Sequence, residues 1–209
     1  MGNCYHSKMS QGAPWHRPPH IDRGTGLIVG ARQVLSPHFD HRPSGFLPEL
    51  LVVHGISLPP GEFGGPWIDR LFTGTLPADG HPYFRAIAAQ RVSAHALIRR
   101  DGQIVQYVPF DARAWHAGQS AWCGRTSCND FSIGVELEGA DETPYADAQY
   151  HMLAVLITAL LAVYPSLSEQ AIVGHSDVAP GRKTDPGPSF DWRRLRALLD
   201  QALRGGTGA

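Results

Sequence analysis

Cysteine is scarce in this 209-residue chain, which has only Cys4, Cys123 and Cys128. The set is odd and lacks the spacing of a zinc ribbon. Reduced thiols in a cytoplasmic protein are the economical reading, with a Cys123–Cys128 bridge as the alternative. An excess of charge of either sign is also missing. Eighteen Lys and Arg face nineteen Asp and Glu, for a net charge of −1. Basic residues cluster no further than pairs such as Arg99-Arg100 and Arg193-Arg194, which argues against nucleic acid or an anionic membrane as partner. No apolar run approaches a membrane span; the best, Met152 to Val163, contains Thr158 and has helical periodicity. The opening MGNCYHSKMS lacks the charged-then-apolar build of a secretory signal. Cys4 has no apolar lead-in for a lipid anchor, and His6 stands where a myristoylation pattern needs Ser or Thr. A cytoplasmic, monomeric protein with no membrane partner is expected.

Hydrophobic residues make up 43% of the chain, enough at this length for one core and one domain. Residues 1–26 carry Pro14, Pro18 and Pro19 without periodicity and read as a poorly ordered extension, so the folded body is expected to start near Leu27. Leu50 to Val53 reads as a buried strand, Gly65 to Thr73 and Tyr83 to Gln90 as short helices. Val92 to Val108 reads as a hairpin turning at Asp101-Gly102. Phe131 to Glu138 alternates, with Phe131, Ile133, Val135 and Leu137 on one face and Ser132, Gly134, Glu136 and Glu138 on the other. Met152, Val155, Leu156, Ala159, Leu160 and Val163 make the apolar stripe of a helix that Pro165 ends. Ala171 to Val173 reads as a short strand, and Trp192 to Ala202 as the last helix. The fold class is α+β: one central mixed sheet flanked by helices.

The chemistry concentrates in GHSDVAPGRKTDPG, Gly174 to Gly187, which places His175, Lys183 and Asp185 on a loop stiffened by Pro and Gly. His54 ends the apolar run Leu50–Val53 where the chain opens into Gly55, Ser57, Pro59 and Pro60. Two imidazoles and one carboxylate suit a catalytic divalent metal: zinc with a fourth position open, or ferrous iron on the same ligand set. Hydrolysis then needs a base and an oxyanion partner. Glu136 or Glu138 could be the base, because the small residues Ser132 and Gly134 beside them leave room for a substrate; Lys183 could meet the oxyanion. The same residues could equally be an ordinary charged strand face and a solvated lysine. Trp115-His116 on a small-residue loop suits sugar or peptide contact. His95 reads as a hydrogen-bonded interior group, and Asp177 as a residue serving its own turn.

The stretches VVHGISLPPGEFGG, HPYF, RVSAHALIRRDGQIVQYVPF, RAWHAG, CNDFSIGVELEG and GHSDVAPGRKTDPGPSFDW together resemble the zinc-dependent type 2 N-acetylmuramoyl-L-alanine amidases, in their peptidoglycan-recycling branch. The resemblance runs from about Leu27 to Leu199 and implies an amidase domain over residues 27–204 with a flexible tail at 205–209. It implies a fold shared with peptidoglycan recognition proteins, Zn2+ held by His54, His175 and Asp185, catalysis by Glu136 rather than Glu138, and a supporting role for Lys183. It also implies an anhydro-muropeptide substrate, cut between the lactyl group of 1,6-anhydro-N-acetylmuramic acid and L-alanine in the cytoplasm. Substrate contacts are expected from Trp115, His116, Arg91 and Gly55. The family's pattern has Asn where this chain has Gly55 and Arg where it has Ser127. The rival readings are a catalytically inactive muropeptide-binding protein, an autolysin acting on intact cell wall, and a metal-dependent oxygenase.

Overall fold

The computed structural model describes residues 18–205. An antiparallel pair, β1 (Ile21–Asp22) and β2 (Leu27–Ile28), opens it, followed by β3 (Arg32–Gln33) and β4 (Phe39–His41). The first long strand, β5 (Leu50–Ile56), leads to helices α1 (Trp67–Phe72) and α2 (Phe84–Ile87). The hairpin β6 (Ala96–Ile98) and β7 (Ile104–Gln106) precedes β8 (Ala112–Ala114) and a small pair, β9 (Ala121–Trp122) and β10 (Arg125–Thr126). Then come β11 (Ser132–Glu138), α3 (Asp147–Val163), β12 (Ile172–Gly174), α4 (His175–Val178) and α5 (Trp192–Gly205).

Six strands form the central sheet in the order β12-β5-β11-β6-β7-β3. The pairs β12–β5, β5–β11 and β11–β6 are parallel and β6–β7 is antiparallel, so the sheet is mixed, as the alternation of elements implied. All seven residues of β11 and the first five of β5 are buried, the signature of central parallel strands covered on both faces. One face, with Leu51, Val53, Ile133, Val135 and Leu137, packs against α3 and α5. The other carries two smaller clusters: Leu97, Val105 and Tyr107 with α1 and α2, and Leu50, Val52 and Val173 with Ala117 and α4.

The structure corrects several expectations. Ile21 is 3% exposed and sits in the main core, so the folded body begins upstream of Leu27; the expectation of disorder for residues 1–17 falls outside the described residues. The two-residue β9–β10 turn was missed because Cys123-Gly124 is not a familiar hairpin pair, yet both residues take positive φ as such a turn requires. Ala171 belongs to a 3-10 turn rather than to the strand. Both described cysteines, Cys123 and Cys128, are free. In α3 the buried set includes Leu153, Ala154 and Ile157, off the expected stripe, because the helix packs against α5 as well as the sheet and is covered on two sides.

Leu153 is fully buried in that layer, whereas Val155 is only partly covered. Leu153→Ala should cost about 2–5 kcal/mol, read as a lower urea midpoint at unchanged slope, and Val155→Ala distinctly less. Equal losses would contradict the two-sided burial.

Candidate metal centre and cavity

Strand register assembles the site. Glu136 on β11 lies opposite His54 on β5, and Gly174 on β12 lies opposite Val53, which brings the next residue, His175, level with His54. Three neighbouring parallel strands thus deliver functional groups at their carboxyl ends, where open sheets of this kind bind ligands. Asp185 arrives from the loop after α4, held by its carbonyl, which accepts the Ser176 N–H at 3.0 Å.

His54 Nδ1 and His175 Nδ1 stand 2.9 Å apart, and Asp185 Oδ2 lies 3.2 Å from the first and 3.1 Å from the second. Ligands about 2.0–2.1 Å from a tetrahedral ion are about 3.3 Å from one another, so the observed triangle has the dimensions of one face of such a site. Proton counting points the same way. His175 Nε2 faces the Ala117 carbonyl at 3.3 Å, an acceptor only, so in a neutral ring the proton sits on Nε2 and Nδ1 is a lone pair. That lone pair is aimed at the Asp185 carboxylate, a contact that a cation between them would turn from repulsive to attractive. The residues therefore fit a divalent cation, and among the described residues His54, His175 and Asp185 are the group that could hold one.

The electrostatics suit ligands. Burial pushes His54 down to about 4, so the imidazole is neutral at physiological pH. Glu136 goes the other way: burial, then the Asp185 charge, push it well above the ordinary value, with Lys183 opposing.

These groups share a cavity of about 360 Å³, walled by His54, Glu136, His175, Lys183 and Asp185 together with Trp115 and the apolar Leu58, Leu71 and Phe72. Glu136 Oε2 is buried and has no hydrogen-bond partner, which leaves it free for something in the cavity. Glu138 differs. It accepts the Gly64 N–H at 2.6 Å and pairs with Arg99 at 3.2 Å, holding the Ser57–Gly65 loop in place. The two carboxylates that the strand pattern left equivalent are separated by their partners.

The remaining expected contacts are distributed unevenly. Trp115 and Gly55 line the cavity. A Cβ on Gly55 would collide with the Tyr145 hydroxyl, which donates to the Pro186 carbonyl at 2.9 Å beside Asp185. Arg91 is exposed and not on the cavity wall; its guanidinium lies 5.1 Å from the centre of the Trp115 ring. His116 lines the cavity, but Nδ1 lies 2.9 Å from His54 Nε2 and Nε2 lies 3.1 Å from Ser132 Oγ, so both nitrogens are engaged within the protein rather than offered to a substrate. The room that Gly134 was expected to leave for a substrate is filled by the His116 ring. His95 is an interior group, as read: its Nδ1 accepts the Gly134 N–H and its Nε2 faces the Ala112 carbonyl. Asp177 accepts the Gly174 N–H at 2.7 Å and serves its own turn.

The family described as N-acetylmuramoyl-L-alanine amidase matches residues 45–188. Over 176 residues the chain is 63% identical to the 1,6-anhydro-N-acetylmuramyl-L-alanine amidase AmpD of Escherichia coli (strain K12), covering 84% of this chain and 96% of that protein. A crystal structure of a selenomethionine AmpD derivative superposes with a TM-score of 0.82 at 63% identity, over 84% of this chain and 97% of that one. AmpDh3 from Pseudomonas aeruginosa, solved in complex with anhydromuramic pentapeptide, gives a TM-score of 0.55 at 31% identity, over 72% of this chain and 59% of that one.

The buried, raised carboxyl of Glu136 sets a pH signature for the metal-free protein. Between the ordinary Glu value and the higher folded one, the unfolded chain releases the proton and the folded protein keeps it, so stability falls as pH rises through that window. Glu136→Gln should therefore raise the melting temperature by a few degrees at pH 7 and leave it nearly unchanged at pH 4. The same shift at both pH values would contradict the assigned burial cost.

Proposed function

We propose a specific reaction from one premise: the chain belongs to the N-acetylmuramoyl-L-alanine amidase family. The reaction is hydrolysis of the amide between the lactyl group of 1,6-anhydro-N-acetylmuramic acid and L-alanine of a stem peptide, releasing the anhydro-sugar and a free peptide. In support, the E. coli relative is a 1,6-anhydro-N-acetylmuramyl-L-alanine amidase, and AmpDh3 binds an anhydromuramic pentapeptide. One observation carries the reading: three inward-facing ligand atoms set about one point beside a buried carboxylate oxygen with no partner of its own.

The ion we assign is zinc, which His54, His175 and Asp185 would hold, since two imidazoles and a carboxylate are a catalytic zinc donor set. When bound, it polarises the amide carbonyl and lowers the pKa of water to about 7. The protein's own groups do the rest. Glu136 Oε2 takes the proton of the attacking water and passes it to the departing L-alanine nitrogen. Its pKa, raised by burial above that of an ordinary carboxylate, makes it the stronger proton acceptor when ionised. The Lys183 ammonium, on the cavity wall, meets the negative charge that grows on the carbonyl oxygen. The Trp115 indole and the apolar wall at Leu58, Leu71 and Phe72 hold sugar and peptide, with Gly55 on the same wall and the Arg91 guanidinium, off the wall, held over the Trp115 ring. His116 also belongs to this wall. We read the reaction as a cytoplasmic one, carried out by a monomer in muropeptide recycling. Among the described residues, no helix is long and apolar enough to cross a membrane.

Mass spectrometry of an anhydro-muropeptide digest tests this. Wild type should release the intact stem peptide, and a chelator should stop it until zinc is restored. Glu136→Ala should abolish turnover with zinc retained, and Lys183→Ala should cut turnover by about 10²–10³-fold. No peptide release by the zinc-loaded wild type would favour the binding-only reading; full activity of Glu136→Ala would remove that residue from the mechanism.

A further inference from the structure

A metal-bound histidine normally gives its second ring N–H to a carboxylate or a carbonyl, which fixes its tautomer and orientation. His175 follows that pattern through the Ala117 carbonyl. His54 does not: the group 2.9 Å from its Nε2 is Nδ1 of another imidazole, His116. The two rings are nearly perpendicular, at 87°, with centroids 5.0 Å apart, and they meet at these two nitrogens.

His116 is itself built in. Its Nε2 lies 3.1 Å from Ser132 Oγ, and Ser132 is fully buried. Its backbone N–H donates to Asn129 Oδ1 at 3.2 Å, and the Ala117 N–H donates to the same oxygen at 2.8 Å. The Ala117 carbonyl, which faces His175 Nε2, also accepts Arg182 Nη2 at 2.6 Å. One loop therefore supports both imidazoles of the metal centre. Gly134, on the middle of β11, completes the seat: a Cβ there would run into Cγ, Nδ1 and Cδ2 of His116.

We propose that His116 is the positioning residue of the metal ligand His54, its Nδ1 accepting the His54 Nε2–H while its own Nε2–H donates to Ser132 Oγ, in a seat that requires glycine at position 134. The inference rests on His54 binding the metal. With Nδ1 turned to the ion, His54 carries its proton on Nε2, and that proton needs an acceptor in a buried place. His116 supplies one only in the Nε2–H tautomer, whose proton Ser132 Oγ is placed to accept. The order His54, His116, Ser132 is thus a directed line of donors running from the ion into β11.

The test measures zinc affinity rather than turnover, by competition against a chromophoric chelator at fixed pH, with the melting of each metal-free variant followed in parallel. Wild type should bind one equivalent. His116→Ala should weaken binding about 10–100-fold. His116→Asn, whose side-chain oxygen can replace Nδ1 as acceptor, should recover most of that loss. Ser132→Ala, which leaves the ring packing intact, should cost several-fold and keeps the question open to test should the position-116 variants fold poorly. Gly134→Ala should lose affinity by displacing the ring. Wild-type affinity in His116→Ala or in Ser132→Ala, or equal losses in the Ala and Asn variants, would overturn the proposal. Failure of the wild type to bind zinc would instead overturn the reading on which it rests.

Discussion

Everything at the site depends on keeping three ligand atoms, two imidazole nitrogens and one carboxylate oxygen, within about 3 Å of one another in a largely buried position. Left alone, such an arrangement sets lone pairs against each other in low dielectric, and the chain would relax away from it. It persists because the backbone does not let go. His54 is locked in a parallel ladder with β11 on one side and β12 on the other, and His175 follows directly from the strand pairing that aligns Gly174 with Val53. The site is a consequence of register: a shift of one residue would turn His54 to the opposite face.

Two sides of the sheet divide the labour. Toward α3 and α5 the strands present Leu51, Val53, Ile133, Val135 and Leu137, and that face supplies the stability. Toward the cavity, β11 presents Ser132, Gly134 and Glu136, residues too small or too polar to build a core. That poverty is what lets an imidazole lie against the strand at Gly134 and leaves a carboxylate unpaired one step further on. A buried guanidinium, Arg42, ties this face down: it donates to the carbonyls of Asn129, Asp130, Phe110 and Ser132. Burial, and after it the Arg42 charge, push His95 down to about 3, so that ring stays neutral beneath the site.

Much of this was legible in the residues. An apolar run ending in His54, an alternating strand ending in Glu136 and Glu138, and a Pro/Gly loop carrying His175, Lys183 and Asp185 are local patterns, and the structure gathers them around one cavity. What stayed hidden depends on partners distant in sequence. Glu136 and Glu138 are equivalent by pattern and differ only because Arg99 and the Gly64 N–H occupy the second. The second buried side of α3 needs α5 to exist. Ile21 reads as part of a tail until β2 pairs with its strand. Gly134 did carry a signal, since glycine inside a strand marks a close approach, but what approaches is a histidine rather than a substrate.

X-ray absorption at the zinc edge of the metal-loaded protein addresses the central claim most directly. The account predicts one ion per chain in a shell of nitrogen and oxygen at about 2.0–2.1 Å, with scattering from two imidazoles. A sulfur shell at about 2.3 Å, or the scattering of a single imidazole, would contradict it.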